Sequence, residues 1–385
     1  MKFGIITLVS DNYGNKYQNY AVEQLLSRYG EVESFGLEDL YRVPKSAEKP
    51  WYRKLSPAYM RDVLISRMMY RYDINRIDRG VLHNLLYVSR NRHALQQVRQ
   101  ERRKRFKKFS DEYLHLADTK LNRENTGKKW ADQFDLFICG SDQVWNPYYA
   151  TTSELAFCSF APEKTICLSP SFGVSGIPEY RRQEYAQWLN RIQTLSVREE
   201  AGKKIIKNLT GRDAEVLLDP TMLLPAESWE AMCRQPQQRL PGHYIACYFL
   251  GRIDRNLVRK ISQLSHEKNL PVVMLFDITT PRYYSFDPAE VLYTIRQADY
   301  VLTDSFHGTV FSILFQKNFT VFGRNEGGSS MNSRLETLLS AFHLSDRVAG
   351  KNSQEIMRTQ WEYVKQKLEQ EQRKAEEYLD SCLKE

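Results

Sequence analysis

Four polar clusters in the sequence carry side chains able to move protons or hold anions: Gly140-Ser141-Asp142-Gln143, Ser171-Phe172-Gly173, Arg198-Glu199 and Thr303-Asp304-Ser305-Phe306-His307-Gly308. Each follows a short apolar run, Phe134 to Cys139, Ile166 to Leu168, Thr194 to Val197 or Tyr300 to Leu302. Such runs read as buried parallel strands, and ligands sit beyond the carboxyl ends of strands in open α/β sheets. Asp142 can serve as a base or hold hydroxyls, Gly140 permits a sharp exit from the strand, and Gln143 can hydrogen-bond a hydroxyl-rich ligand such as a sugar. The guanidinium of Arg198 is shaped for a bidentate grip on a carboxylate or phosphate. His307 and Gly308 fall where a strand gives way to an apolar helix, and exposed amides and the helix dipole favour an anion there. Arg334, after Asn332-Ser333 and before another apolar helix, is a second candidate anion ligand.

Each of these residues also has a plain structural reading. Ser141 and Asp142 would cap a following element. Arg198 would pair with Glu199 or Glu200 in a surface ion pair of little value. A lone histidine is more often structural than catalytic. The three aligned loops of the first half, at Gly140, Ser171 and Arg198, favour the functional reading over three unrelated caps.

The elements that must position these residues alternate. An opening strand (Lys2 to Val9) leads through the turn Asp11 to Asn15 into a helical pattern around Tyr20, Leu25 and Arg28, and Val32 to Phe35 suits a second strand. A helix over Pro178 to Ile192 and a strand at Glu215 to Leu218 continue the series. From Pro220 to Gly242 prolines interrupt the pattern, apart from a short helix around Trp229. A second series follows: strand His243–Leu250, helix Arg255–Lys268, strand Pro271–Phe276, helix Ala289–Gln297, strand Tyr300–Leu302, helix Thr309–Phe315 and strand Phe319–Phe322. Two parallel-sheet, Rossmann-like α/β domains facing a cleft are expected, over residues 1–225 and 226–352, with a C-terminal helix over 353–385 that packs back on the first domain.

With 385 residues the chain is long enough for two domains, and its apolar content is that of a globular protein. The N-terminal apolar run is far too short to cross a bilayer and lacks a cleavage site, so it reads as a strand. Six scattered cysteines without zinc or redox spacing point to reduced core thiols of a cytoplasmic protein. No metal-ligand cluster, Walker loop, Gly-x-Gly-x-x-Gly fingerprint or Gly-x-Ser-x-Gly elbow occurs, which disfavours kinases, dehydrogenases and hydrolases of those types and suits a metal-independent transferase. The net charge of +8 is local: residues 42–108 hold 19 Lys/Arg against 5 Asp/Glu, so the remainder is net negative. This basic insertion (about 42–118) carries the aromatics Trp51, Tyr52, Tyr59, Tyr70, Tyr72 and Tyr87. Through residues 90–108 it could rest on an anionic membrane surface or hold a polyanionic glycan, or present a solvated helix face. No nucleic-acid motif accompanies it, and nucleic acid is not an expected partner.

Five segments in order, Asn12-Tyr13-Gly14-Asn15, Gly140-Ser141-Asp142-Gln143-Val144-Trp145-Asn146-Pro147, Ser196-Val197-Arg198-Glu199, Asp219-Pro220-Thr221 and Thr303 to Gly308, resemble the polysaccharide pyruvyl transferase family. The resemblance runs to about Leu339 and omits the basic insertion and the C-terminal tail. It implies a GT-B-like fold and transfer of a pyruvyl group from phosphoenolpyruvate, as donor substrate and without a cofactor, to hydroxyls of a sugar as a ketal. The acceptor would belong to a cell-surface polysaccharide or its lipid-linked precursor, at the inner face of the membrane. His307 would then protonate the donor methylene and Asp142 would face the acceptor. Arg198, Ser305, Gly308 and Arg334 would bind the donor, and Asn15 and Gln143 the acceptor. Where relatives place Arg-Leu before the histidine, this chain has Ser305-Phe306. Either Arg334 or Arg324 supplies that charge, or the donor is bound differently. Two further functions fit the same pattern: a GT-B glycosyltransferase with a nucleotide-sugar donor, and a non-catalytic glycan-assembly protein.

Overall fold

The computed structural model describes residues 1–38, 81–323, 330–351 and 358–383. Arg324 and the aromatics from Trp51 to Tyr72 lie outside them. The first domain comprises β1 (Lys2–Ile6), α1 (Tyr13–Leu26), β2 (Glu31–Phe35), α2 (Val81–Tyr113), β3 (Leu136–Cys139), β4 (Thr165–Cys167), α3 (Arg182–Arg191), β5 (Ser196–Val197), α4 (Glu200–Thr210) and β6 (Glu215–Val216). Its strands pair in parallel in the order β2-β1-β3-β4, and a bridge from Ile166 to Thr194 carries the layer on towards the β5-β6 pair. After α5 (Ala226–Met232), the second domain runs β7 (Ile245–Tyr248), α6 (Arg255–Lys268), β8 (Val272–Met274), α7 (Pro288–Gln297), β9 (Tyr300–Thr303), α8 (Phe306–Leu314), β10 (Asn318–Val321) and α9 (Ser330–Ala341). Its order is β10-β9-β7-β8, again parallel.

The central strands β7 and β9 are buried on two faces, which is why they read as unbroken apolar runs. Each fully buried side chain among Phe3, Ile5, Phe137, Ile138, Val301 and Leu302 removes enough apolar surface from water to contribute roughly 1.5–3 kcal/mol. In each sheet the strand order reverses direction once, between β1 and β3 and between β7 and β9. Loops diverge at such a point and leave a crevice. The two crevices face each other, giving the two-domain α/β arrangement of a GT-B protein.

Three elements tie the halves together. Tyr13 and Tyr17 on α1 donate their hydroxyls to the second domain's Phe286 carbonyl at 2.5 Å and Pro288 carbonyl at 2.8 Å. On α2, the Arg102 guanidinium lies 5.0 Å from the Tyr13 ring and 4.8 Å from that of Tyr284, and Arg105 pairs with Glu290 at 2.9 Å. The C-terminal helix α10 (Arg358–Leu383) packs on the first domain, where Tyr378 donates to the Cys167 carbonyl and Lys374 to the Val216 carbonyl, each at 2.9 Å.

The basic insertion is helical from Val81 to Tyr113, with a kink at Asn91. It is not simply a charged surface, because Phe106 and Phe109 are fully buried and Arg102 and Arg105 turn inward. Arg92, Arg103, Lys104 and Lys108 remain on its outer face. No described helix is long and apolar enough to cross a membrane.

Candidate active site

The facing crevices form one open cleft of about 450 Å3. Its first-domain wall is built by Thr7 to Ser10 after β1, by Asn12 and Asn15 at the start of α1, and by Asp142, Gln143, Tyr149 and Thr151 after β3. The second domain contributes Leu250 after β7, Ser305 to His307 after β9, and Arg334 on α9.

The loop after β3 is shaped by its own residues. Gly140 leaves the strand at φ +109°, a conformation that side-chain-bearing residues rarely adopt. Asp142 follows at φ 61°, also in the left-handed region, which Asp tolerates better than most residues. Trp145 is buried and donates to the Ala156 carbonyl at 3.0 Å. Buried Arg181 donates to the Pro147 and Thr152 carbonyls at 2.9 and 2.6 Å, clamping the segment that carries Tyr148 and Tyr149 to the rim.

A buried charge cluster lies against this wall. One oxygen of Asp142 accepts from Asn15 Nδ2, and the other lies 3.4 Å from Arg198 Nη1. Arg198 Nη2 also donates to Ser141 Oγ at 2.8 Å and stands 2.9 Å from Asp219 Oδ2, an ion pair out of line for a hydrogen bond. Asp219 Oδ1 is held by the amide of Thr221 at 2.9 Å and its hydroxyl at 2.5 Å. From the second domain, His307 presents Nε2 to Asp219 Oδ2 at 3.8 Å. Phe306 lies between two guanidinia, 5.2 Å from Arg198 and 5.6 Å from Arg334. Such contacts favour a cation over the ring face.

These neighbours set the protonation states. Burial works to raise the Asp142 carboxyl, but Arg198, His307 and Arg334 outweigh it and leave its pKa below the ordinary value. Burial lowers the His307 imidazole, against the pull of Asp219 and Asp142 and with the help of Arg198 and Arg334. Burial likewise lowers the Arg334 guanidinium, and Arg198 adds to the effect. Glu199 is pushed up by burial in spite of Arg334 and Arg198. Its Oε1 accepts from Ser171 Oγ and the Phe172 amide, both at 3.0 Å. Asp142 is therefore a standing carboxylate, and His307 a ring poised on the neutral side.

The eight residues singled out in the sequence gather at this cleft in unequal roles. Asp142, Asn15, Gln143, Ser305, His307 and Arg334 line it. Arg198 does not pair with Glu199 or Glu200 on the surface. It is buried behind the wall, and its terminal nitrogens are engaged by Asp142, Asp219 and Ser141. In that position it clamps two carboxylates. Gly308 has a part in the start of its helix. The helix opens at Phe306, three residues earlier than expected, because Ser305 is its N-cap and its Oγ accepts the Gly308 amide at 3.3 Å. That amide is not offered to an anion, and Gly308 is a glycine because a Cβ there would lie 2.3 Å from Thr303 Oγ1.

Four participants went without a role in the sequence: Asp219, Gly14, Phe306 and Tyr149. Asp219, Gly14 and Phe306 stand in the quoted motifs, which was the available signal. No group of three or more potential metal ligands occurs among the described residues.

A charged site at the facing switch points of two parallel sheets defines a two-domain α/β protein of GT-B type. The model of the polysaccharide pyruvyl transferase family matches residues 12–326, and the chain belongs to that family. No curated protein matches the sequence. Among solved structures, the UDP-GlcNAc 2-epimerase of Methanocaldococcus jannaschii is similar at 10% identity and a TM-score of 0.43, covering 96% of this chain and 92% of that one. The UDP-GlcNAc 2-epimerase of Neisseria meningitidis, bound to UDP-GlcNAc, has the same identity and TM-score and covers both chains fully (100% each). The spinosyn rhamnosyltransferase SpnG is similar at 8% identity and a TM-score of 0.41, covering 99% of this chain and 100% of that one.

Proposed function

We propose that the protein transfers the pyruvyl group of phosphoenolpyruvate to two hydroxyls of one sugar, closing a ketal ring and releasing phosphate. The observation that carries this reading is the meeting of His307 and Arg334 from one domain with Asp142 from the other across a single cleft, in a chain of this family.

The residues suit each step. Imidazolium His307 gives its proton to the donor methylene carbon, whose double-bond electron pair forms the new C–H bond and leaves cationic character at the adjacent carbon. The standing carboxylate of Asp142 stabilises that charge; its low pKa makes it a better electrostatic partner than a base. One sugar hydroxyl adds to the cationic carbon, the C–O bond to phosphate breaks, and the second hydroxyl adds to close the ring. Of the two hydroxyl protons released, one restores His307 and the other leaves with phosphate. Arg334 holds the donor's negative charge, the part that an arginine before the histidine plays in relatives. Asn15 and Gln143 face the acceptor.

The acceptor on this reading is a sugar of a cell-surface polysaccharide or its lipid-linked precursor. The exposed Arg92, Arg103, Lys104 and Lys108 of α2 would rest on the anionic inner face of the membrane.

The test is a comparison of donors. Phosphoenolpyruvate should raise the melting temperature in a concentration-dependent way, and phosphate should be released when an acceptor glycan is added. Stabilisation by nucleotide-sugars and none by phosphoenolpyruvate would replace this reading with the glycosyltransferase.

A further inference from the structure

We infer that Asp219 is the positioning partner of His307, fixing the imidazole with its proton on Nε2 and leaving Nδ1 as the nitrogen that works on the donor. The inference deepens the proposed reaction, and its kinetic arm rests on that reading; its spectroscopic arm does not.

Four observations carry it. His307 Nε2 is buried without a hydrogen-bond partner and is turned to Asp219 Oδ2, itself buried and lacking one. Their separation of 3.8 Å is longer than a hydrogen bond but within ion-pair reach, and such catalytic contacts are often long before substrate binds. Asp219 cannot swing away, because Thr221 holds its Oδ1 through two donors and Arg198 faces its Oδ2. At the opposite edge of the ring, Nδ1 is seated beside Gly14, where only a glycine leaves it room, and His307 lines the cleft. The hydrogen bond made by one ring nitrogen decides which tautomer the other presents.

The pair spans the domains. Asp219 ends the first-domain chain after β6, and His307 opens α8 of the second. The charged groups facing the ring are Asp219, Asp142, Arg198 and Arg334, and only the two carboxylates favour its protonated form. Removing Asp219 would also leave Arg198 to Asp142 and Ser141 and deprive His307 of the carboxylate within ion-pair reach.

The experiment is 15N NMR of histidine-labelled, donor-free protein, with His307 assigned by its loss in His307→Gln. The neutral ring should be the Nε2–H tautomer; a dominant Nδ1–H tautomer overturns the inference, and this arm needs no variant at Asp219. In Asp219→Asn the protonation midpoint of His307 should move to lower pH. The profile of kcat/KM should follow it, with a loss on the order of tenfold at neutral pH that is largely recovered on acidification. A uniform loss at every pH with an unmoved His307 midpoint means that Asp219 is only structural and overturns the inference. If the tautomer and midpoint behave as expected but phosphoenolpyruvate yields no phosphate, the pairing stands and the proposed reaction fails.

Discussion

An ideal Cβ on Gly14 would lie 2.4 Å from Nδ1 of His307 and 2.8 Å from its Cε1, so the imidazole of one domain occupies the space that the other domain's glycine leaves open. Gly14 sits in the first turn of α1, whose cap Asn12 accepts its amide at 2.8 Å, so the backbone there cannot easily retreat. Gly14→Ala should therefore displace the ring. Crowding of this kind costs about 1–3 kcal/mol, and a shift of about 1 Å at a reacting group can cost about 100-fold in rate. Denaturant melts should show the modest loss of stability and phosphate-release assays the large loss of kcat. Wild-type kcat in this variant would mean that the ring need not stay where it is.

Ser305 and Gly308 are separable by a different measurement. If the Ser305 hydroxyl serves only as the cap of α8, Ser305→Ala should cost about 0.5–1 kcal/mol and leave the KM for the donor nearly unchanged. A rise in KM of tenfold or more would return Ser305 to the donor site. Gly308→Ala should be the more damaging change, because its Cβ would meet Thr303 Oγ1 while that oxygen donates to the Tyr248 carbonyl at 2.7 Å.

Much of this was legible in the sequence because strand ends before polar loops are local signals. β9 was readable from its apolar run, and α6 matched its expected bounds from Arg255 to Lys268. What stayed hidden depends on contacts between distant segments. The partners of Arg198 lie 56 residues before it and 21 after it, and no local pattern distinguishes that clamp from a surface pair with Glu199. α8 begins before its apolar run because Ser305 caps it, and the run from Thr309 carries no sign of that cap. The insertion was misleading for a related reason: a run of Lys and Arg looks solvated until Tyr13, Phe276 and Tyr284 are found around Arg102.

That cage makes Arg102 a joint between domains. Desolvated cation–π contacts are worth about 2 kcal/mol, and the stem of a long side chain adds packing. Arg102→Ala should lower stability by about that amount, read in urea. Arg103→Ala, on the exposed face of the same helix, should stay within about 0.5 kcal/mol of wild type.

Arg198→Ala should unfold the protein more readily than any of these. It strips Asp142 and Asp219 of their shared cation while both remain buried, and breaking a buried pair from one side typically costs about 3–5 kcal/mol. Arg198→Lys keeps one charge but cannot bridge two carboxylates and a hydroxyl, so it should recover only part of the loss in a denaturant melt.

The same buried groups predict how stability follows pH. The folded-state pKa of His307 lies below its ordinary value, so the unfolded chain binds the proton more readily. Its contribution is complete above the unfolded value of about 6.5 and is lost as pH falls through the lowered folded value. Asp142, also lowered, adds an acid-side loss that begins only below the ordinary carboxylate range. Glu199 is raised, so its contribution has the opposite sign and is lost as pH rises through its folded value. Over the imidazole range, melting temperature should therefore fall on acidification in the wild type and fall less in His307→Gln. A bound dianionic donor favours imidazolium, so phosphoenolpyruvate should stabilise more strongly as pH is lowered towards that range, and this gain should vanish in His307→Gln. A stabilisation by donor that is independent of pH and of His307 would detach the histidine from the donor.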